Sequence, residues 1–151
     1  MSSPSVNIRR ASHRDAAAIQ RLYAQLVSNP AVAVSAEQLA KLAVSEHHMV
    51  LVAEQAGQVC GTALLSLCED VMFGAKPFGV VENVVVDQAA RSLGVGAVLL
   101  REIEARCKQA RCSKIMLLSA AQRVDAHRFF ERQGFVGGAK VGFVKYSSNF
   151  A

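Results

Sequence analysis

Two glycines and an arginine stand where a strand-like run of residues meets a helix-like run. Arg91, Gly94 and Gly96 follow the apolar segment 80–87 (VVENVVVD) and precede an amphipathic segment. Glycines let a ligand approach the backbone closely, and the free N–H groups at a helix N-terminus attract an anion. The spacing predicts a phosphate-binding loop. A plain strand-to-helix turn with glycines for packing is the alternative.

Two widespread phosphate loops fit this segment poorly. A Walker loop needs Gly-Lys followed by Ser or Thr, which the segment lacks. A dinucleotide loop needs Gly or Ala at the position that Leu99 occupies. The pattern that remains is R-x-x-G-x-G, formed by Arg91, Gly94 and Gly96.

A single carboxylate interrupts the apolar run before the loop. Glu82 would lie inside a buried strand, where an unpaired carboxylate is unfavourable and therefore tends to take up a proton. That property suits a general base. The alternative is a carboxylate at the end of the strand, satisfied by a nearby arginine or backbone amide. Asn83 should face the opposite side of the sheet unless a bulge intervenes.

The elements that must position these groups follow from hydrophobic periodicity and from capping residues. The order is β-α-α-β-β-β-α-β-α-β, with antiparallel strands first and one right-handed crossover later. The predicted strands are 6–10, 49–54, 59–68, 80–87, 114–119 and 141–146, with Phe135 in a further short one. The predicted helices run from Ser12 to about Val27, from Ser35 to about Ser45, over the segment before Arg111, and over 125–133.

Composition limits the class of protein. A chain of 151 residues, 52% hydrophobic and 19% charged, predicts one folded domain over 1–151. No apolar run approaches the roughly 18 residues of a membrane span, and the first residues contain no signal-like apolar core. The net charge of +5 is scattered, which makes nucleic-acid binding a weak hypothesis. Four cysteines without a C-x-x-C pair predict reduced thiols, no metal site and a cytoplasmic location.

Three segments in the same order resemble the GCN5-related N-acetyltransferase (GNAT) family. They are ENVVVD before the loop, R-x-x-G-x-G in it, and DAHRFFERQGF at 125–135, which is similar to the family's A-x-x-F-Y-x-x-x-G-F motif. The resemblance implies an α/β (α+β) fold. It would have a mixed central sheet of about six to seven strands, about four helices, and two parallel central strands that splay apart. It also implies acetyl-CoA as the cofactor and a homodimer.

The resemblance assigns backbone roles around the central strand. Backbone groups of Val84, Val85 and Val86 would bind the pantetheine arm, and an amide near Val84 would polarise the thioester oxygen. Glu82 occupies the place of an acidic residue in glucosamine-6-phosphate acetyltransferases, which favours a catalytic role. The residues expected to bind the cofactor are Val84, Val85, Val86, Arg91, Ser92, Leu93, Gly94, Val95, Gly96, Ala97, Arg123, His127 and Phe130.

The chain departs from the family pattern at two places. Phe130 stands where relatives often have a tyrosine that protonates the leaving thiolate, and loss of a general acid costs roughly 100- to 10,000-fold in rate. The thiolate would leave unassisted or through water, or Tyr146 would serve as a weak alternative donor. Arg123 replaces a common asparagine, and it would reach the 3′-phosphate or an anionic substrate, or be solvated. His127 lies beside the expected cofactor arm or is an ordinary surface histidine.

The resemblance implies an acceptor site formed by the first two helices and the loop after the third strand. Mixed charges there predict a small zwitterionic amine, or an aminosugar or aminophosphonate phosphate. The predicted function is transfer of an acetyl group from acetyl-CoA to a small primary amine in a ternary complex. A non-catalytic acyl-CoA-binding regulatory module and a peptide acetyltransferase are the alternatives. The expected acceptor-site residues are Tyr23, Asn29, Glu69, Asp70, Met72, Phe73 and Lys76.

Overall fold

The computed structural model describes residues 4–151 and divides into two compact units, the first ending at Leu117 and the second spanning Leu118–Ala151. The first unit contains a five-stranded sheet in the order β1-β2-β3-β4-β5. The strands are β1 (Val6–Arg10), β2 (His48–Gln55), β3 (Gln58–Cys68), β4 (Phe78–Val86) and β5 (Ile115–Leu117). The helices are α1 (Ala16–Leu26), α2 (Ala36–Leu42), α3 (Val95–Gln109) and α4 (Val124–Arg132).

The sheet is mixed, as the sequence predicts. Strands β1 to β4 pair with their neighbours in antiparallel fashion, and β5 pairs with β4 in parallel fashion. Helix α3 connects these two parallel strands, because a parallel pair needs a crossover rather than a tight turn. The predicted α/β class and the parallel central pair are confirmed.

Each face of the sheet is covered by helices. On the face that we call the α1 face, Ile19 and Leu39 from α1 and α2 pack against Val50 and Val52. On the opposite face, called the α3 face, Val95 packs with other small apolar side chains. Gly79 lies under α3, where a Cβ atom would be only 2.8 Å from Cys107 Sγ. Glycine at this position therefore lets α3 pack closely against β4.

The first helix begins at the capping box that the sequence predicts. The Ser12 side chain accepts a hydrogen bond from Arg14 N, and Asp15 Oδ2 accepts one from Ser12 N at 2.7 Å. A short 3-10 turn (His13–Asp15) precedes α1. Asp15 is buried and is held by the Arg9 guanidinium at 2.9 Å, which keeps the pKa of that carboxyl below its usual range. The hydrogen bonds to Asp15 therefore tie β1 to the start of α1.

The predicted number of strands is wrong, because the two closing strands do not form. Phe135 and residues 141–146 lie outside any strand, so the sheet has five strands instead of six to seven. Phe143 in this segment is 92% exposed. Apolar alternation gives a segment strand propensity, but a strand also needs a neighbour to pair with. Strand β4 begins at Phe78, inside the predicted loop, and β5 is shorter than predicted.

The four cysteines are not paired with one another in the described residues. Cys60 and Cys107 are buried, and burial raises the pKa of both thiols, that of Cys107 to about 12. Cys68 and Cys112 are half-buried. No group of three metal-ligating side chains occurs within residues 4–151. In the same residues no helix is long and apolar enough to cross a membrane.

Candidate active site

The loop between β4 and α3 leads into the amides at the start of α3. Asp87 Oδ1 accepts a hydrogen bond from Ala89 N at 3.0 Å, which fixes the short turn after β4. Ser92 and Gly94 both have left-handed backbone conformations, with φ of 67° and 80°. Gly94 is the N-cap of α3, so the helix begins at Val95. The first amides of a helix have no intrahelical acceptor, and here they follow an exposed loop.

Arg91 lies at the mouth of this loop. Its Nε donates a hydrogen bond to Val86 O, the carbonyl at the end of β4, at 3.2 Å. The side chain is exposed, and across residues 4–151 its terminal guanidinium nitrogens form no hydrogen bond or ion pair. Arg91 is therefore held beside the loop with donors left for an anion.

The two central parallel strands remain paired over a short distance only. The ladder between β4 and β5 joins Gly79, Val80 and Val81 to Ile115, Met116 and Leu117. Within the described part of the chain, no strand pairs with this edge of β4 after Val81. The other edge of β4 stays paired with β3 as far as Val86. The geometry is that of the splayed pair that the resemblance implies.

A bulge in β4 lies at the point where this edge becomes open. Between the pairs Leu64–Glu82 and Thr62–Val85, β4 contains one residue more than β3. Asn83 absorbs the extra residue with a left-handed φ of 57°, which is rare for a residue inside a strand. The sequence predicts that Asn83 faces the side opposite Glu82 unless a bulge intervenes, and β4 contains such a bulge.

The bulge also decides which backbone groups face the open edge. Gly79 N donates to Lys114 O, whereas Asp87 N donates to Cys60 O on β3. Since backbone groups alternate between the two edges of a strand, Val85 and Asp87 are directed toward β3. Val84 and Val86 are directed toward the open edge, beside the glycine loop. Three valines were expected to bind the pantetheine arm through their backbones. The backbone of Val85 faces β3 instead, so only Val84 and Val86 have backbone groups at the open edge.

Glu82 lies on the α1 face, directly opposite Leu64 of the α1-face cluster. It is half-buried, and in residues 4–151 its carboxylate forms no side-chain hydrogen bond or ion pair. The described contacts therefore do not pair Glu82 with an arginine, which was the predicted alternative to a catalytic role.

Tyr23 of α1 packs in the same cluster. Burial raises the pKa of its hydroxyl, and the nearby Asn83 side chain partly offsets that rise. The phenol is therefore neutral at physiological pH. Sequence reasoning named Tyr23 but gave Asn83 no role, and the only signal for Asn83 was a polar residue within an apolar run.

Two of the other expected acceptor-site residues, Asn29 and Asp70, shape turns. Asp70 Oδ1 accepts hydrogen bonds from Val71 N at 2.7 Å and Met72 N at 3.2 Å. Asn29 Oδ1 accepts one from Ala31 N at 2.9 Å. Glu69, Phe73 and Lys76 are exposed on the loop between β3 and β4. The loop is thus preorganised, and its apolar side chains point into solvent.

The second unit contains the residues of the 125–135 motif. Phe130 is buried, and its ring lies 5.4 Å from the Phe129 ring and 6.2 Å from the Phe135 ring, measured between centroids. His127 Nε2 is 2.9 Å from Ala120 O, and Arg123 is exposed. Tyr146 is 70% exposed and lies outside any strand, so its predicted place on a late strand is wrong.

Comparison with known proteins establishes the family. The model of the acetyltransferase (GNAT) family matches residues 16–135, and the chain therefore belongs to this family. A rice protein named "Probable glucosamine 6-phosphate N-acetyltransferase 2" is 34% identical over 98 residues, which is 62% of this chain and 57% of the rice protein. The matched region thus spans little more than half of that relative's length.

Two solved structures share the fold. A structure described as "Putative acetyltransferase from Agrobacterium tumefaciens str. C58" has a TM-score of 0.85 at 28% identity, covering 93% of this chain and 99% of that one. The glucosamine-6-phosphate N-acetyltransferase of Arabidopsis thaliana has a TM-score of 0.79 at 20% identity, covering 95% and 99%. At that lower identity the similarity concerns the fold.

Proposed function

We propose that this protein is an N-acetyltransferase that moves an acetyl group from acetyl-CoA to a primary amine of a small molecule, by direct transfer in a ternary complex. The observation that carries the proposal is the open edge of β4 after Val81, which leads to the glycine loop at the start of α3. A linear cofactor with a phosphate at one end and amides along its arm matches this edge. Membership in the GNAT family makes acetyl-CoA the natural occupant.

The chain's own groups supply a binding role at each part of such a cofactor. The pyrophosphate would lie against the backbone amides from Ser92 to Ala97, and Arg91 would add a full positive charge. Leu93 N already donates to Ala90 O at 3.4 Å, so the other amides of this stretch would bind the phosphates. The pantetheine amides would bond to the backbones of Val84 and Val86. Arg123, His127 and Phe130 stay predicted cofactor contacts from the second unit.

The chemistry requires a neutral amine and a polarised thioester. Glu82 would accept a proton from the ammonium group, and the amine nitrogen would then attack the acetyl carbon. The Val84 amide would donate to the thioester oxygen, which carries negative charge as the carbon–nitrogen bond forms. The carbon–sulfur bond would then break, and the proton that the attacking nitrogen loses would pass to the CoA thiolate, directly or through water. Holding both reactants in one site lowers the barrier further.

The leaving thiolate has no tyrosine at the family position. Phe130 is an apolar ring packed between two others and cannot donate a proton. A free thiol has a pKa of about 8.5, so a thiolate can depart unassisted or take its proton from water. We propose this route, with Tyr146 as a weak alternative donor.

A small amine is the acceptor that the site suits best. Glu82 and the neutral phenol of Tyr23 belong to one half-buried face, so a compact polar molecule there would meet both side chains. The name of the rice relative, a glucosamine 6-phosphate acetyltransferase, supports an aminosugar-like acceptor. Asn29, Glu69, Asp70, Phe73 and Lys76 would border the entrance.

Thiol release from acetyl-CoA tests the proposal directly. Wild-type protein should release CoA steadily with at least one member of a panel of small primary amines. Phe130→Tyr restores the family's side chain and should change the rate by less than about tenfold if the thiolate leaves unassisted. A wild-type protein that binds acetyl-CoA yet releases no thiol with any amine would contradict the proposal.

Phe130 also favours a second candidate function, a non-catalytic acyl-CoA-binding module. The two functions share cofactor binding and differ in thiol release. If the protein is a non-catalytic acyl-CoA-binding module, Phe130→Tyr should release thiol from acetyl-CoA and the wild type should not.

We further propose a cytoplasmic homodimer. The four free thiols support a reducing compartment. In the second unit, Val141, Phe143, Val144 and Tyr146 expose between 62% and 92% of their surface, which is unusual for apolar side chains that have no partner in solution. A second copy of this chain is the proposed partner.

A further inference from the structure

A histidine and a serine form a hydrogen-bonded pair at one end of the sheet, and the proposed function does not use them. His48 Nδ1 lies 3.0 Å from Ser66 Oγ. The two residues are directly opposite each other on β2 and β3. His48 is exposed and Ser66 is half-buried, so the pair is open to a ligand.

This pair faces the same side of the sheet as Glu82. Ser66 is opposite Val80 on β4, and Glu82 follows Val80 by two residues, before the bulge. Opposed residues and residues two apart point to the same face of a sheet. His48 on β2 and Glu82 on β4 are two strands apart, and their positions differ by two residues along the strand direction. Their backbones therefore lie about 12 Å apart. Side chains at this separation can contact the two ends of a molecule as large as a monosaccharide.

The backbone around His48 is fixed on both sides. Ser45 Oγ accepts a hydrogen bond from His48 N at 3.0 Å, and Arg10 Nη2 donates to His48 O at 3.2 Å. The imidazole therefore projects from a well-anchored strand end.

The surface between His48 and Glu82 is only partly covered by the helices. Ser66 and Val80 are half-buried, whereas Val50 and Val52 of β2 are buried beneath α1 and α2. The surface between the two polar ends is therefore partly exposed to solvent.

We propose that His48 and Ser66 form a distal subsite of the acceptor site, which binds an oxygen-bearing group at the end of the substrate opposite its amine. The inference rests on the proposed function, because it assumes that the amine lies at Glu82. With Nδ1 engaged by Ser66, the imidazole offers Nε2 to a hydroxyl or phosphate oxygen, and the serine hydroxyl can both donate and accept. The substrate class is thus an amine on a ring of monosaccharide size, with oxygen substituents. A cross-strand polar pair without a ligand is the competing explanation.

Steady-state kinetics with matched acceptors tests the subsite. The acceptors are glucosamine, glucosamine 6-phosphate and cyclohexylamine, a ring amine without oxygen atoms. His48→Ala and Ser66→Ala should each raise the KM for an oxygen-bearing acceptor by about tenfold, the size of one lost hydrogen bond. The KM for acetyl-CoA and the kinetics with cyclohexylamine should stay unchanged. His47→Ala is the matched control, because it removes the neighbouring exposed histidine and leaves the pair intact.

The outcomes separate the subsite from the reaction itself. A change in KM for glucosamine 6-phosphate alone identifies a phosphate oxygen, and a change for both sugars identifies a hydroxyl. An active enzyme whose KM values for the sugars are the same in wild type, His48→Ala and Ser66→Ala overturns the subsite and leaves the proposed function intact. Equal KM changes for sugars and cyclohexylamine also overturn it. Absence of thiol release by the wild type with every amine overturns the proposed function and the subsite together.

Discussion

Glu82 and Val85 face the same side of the sheet although they are three residues apart on one strand, since they oppose Leu64 and Thr62 on β3. An unbroken strand would direct them to opposite faces. The bulge at Asn83 adds the residue that changes the alternation. The carboxylate on the α1 face and the backbone of Val84 at the open edge thus depend on the same local irregularity.

Substitutions at Asn83 should separate backbone conformation from side-chain chemistry. Asn83→Gly keeps the left-handed conformation and should retain most of the transfer rate, whereas Asn83→Val should lose it, since a β-branched residue is strained at φ of 57°. We expect Asn83→Val to lower kcat at least tenfold and stability by about 1–2 kcal/mol. Kinetics and urea unfolding of both variants measure this. Equal activities in the two variants would mean that the bulge geometry does not matter.

Gly94→Val should abolish acetyl-CoA binding. The left-handed φ of 80° disfavours a side chain there, and the loop that holds the phosphates would be distorted. Gly57→Val is a matched control, because Gly57 also has a left-handed φ, of 75°, and its added Cβ would likewise meet no atom within 4 Å. Both variants should lose similar stability, but only Gly94→Val should lose affinity in a calorimetric titration with CoA. Equal affinities would reject the loop as the phosphate site.

Glu82→Gln should reduce kcat at neutral pH by roughly 100-fold or more, the typical contribution of a general base. Affinity for acetyl-CoA should be unchanged, because Glu82 faces the α1 side and not the glycine loop. Glu104→Gln, at an exposed position of α3, is the control and should have no effect on kcat. The pH dependence of kcat/KM is the measurement. An identical profile for Glu82→Gln and wild type would exclude Glu82 as the base.

Asp15 should make stability dependent on pH in the acid range. The Arg9 guanidinium lowers the pKa of this buried carboxyl below its ordinary value of 3.8. A group whose pKa is lowered by folding stabilises the protein above its unfolded pKa, and that contribution is lost as pH falls through the folded pKa. We expect Asp15→Asn to cost about 1–2 kcal/mol at pH 7 and progressively less as the pH falls from the ordinary pKa toward the lowered one. Urea unfolding over a series of acid pH values, with the exposed Asp125→Asn as control, measures this. A cost independent of pH would contradict the ion-pair explanation.

Phe143→Ser should weaken the proposed homodimer. Phe143 and Val71 are both 92% exposed, but Phe143 belongs to the second unit and Val71 to the loop between β3 and β4. Val71→Ser is therefore a control of equal exposure. Sedimentation over a range of concentrations should show dissociation of Phe143→Ser alone. A wild type that stays monomeric at every concentration would contradict the dimer.

The sequence by itself determined the family and the strand–loop–helix unit. Local rules suffice there, since Arg91, Gly94 and Gly96 lie within a few residues and Ser12 caps its own helix. The fold class and the parallel central pair follow from patterns of the same short range.

Tertiary structure decided the side-chain environments. The bulge at Asn83, the phenol of Tyr23 beside it and the pairing of His48 with Ser66 join residues that are distant in sequence, so no local pattern predicts them. The predicted closing strands failed for a related reason, because residues 141–146 have strand propensity but no strand partner within residues 4–151. Propensity is a property of a segment, whereas pairing and burial depend on what the rest of the chain places next to it.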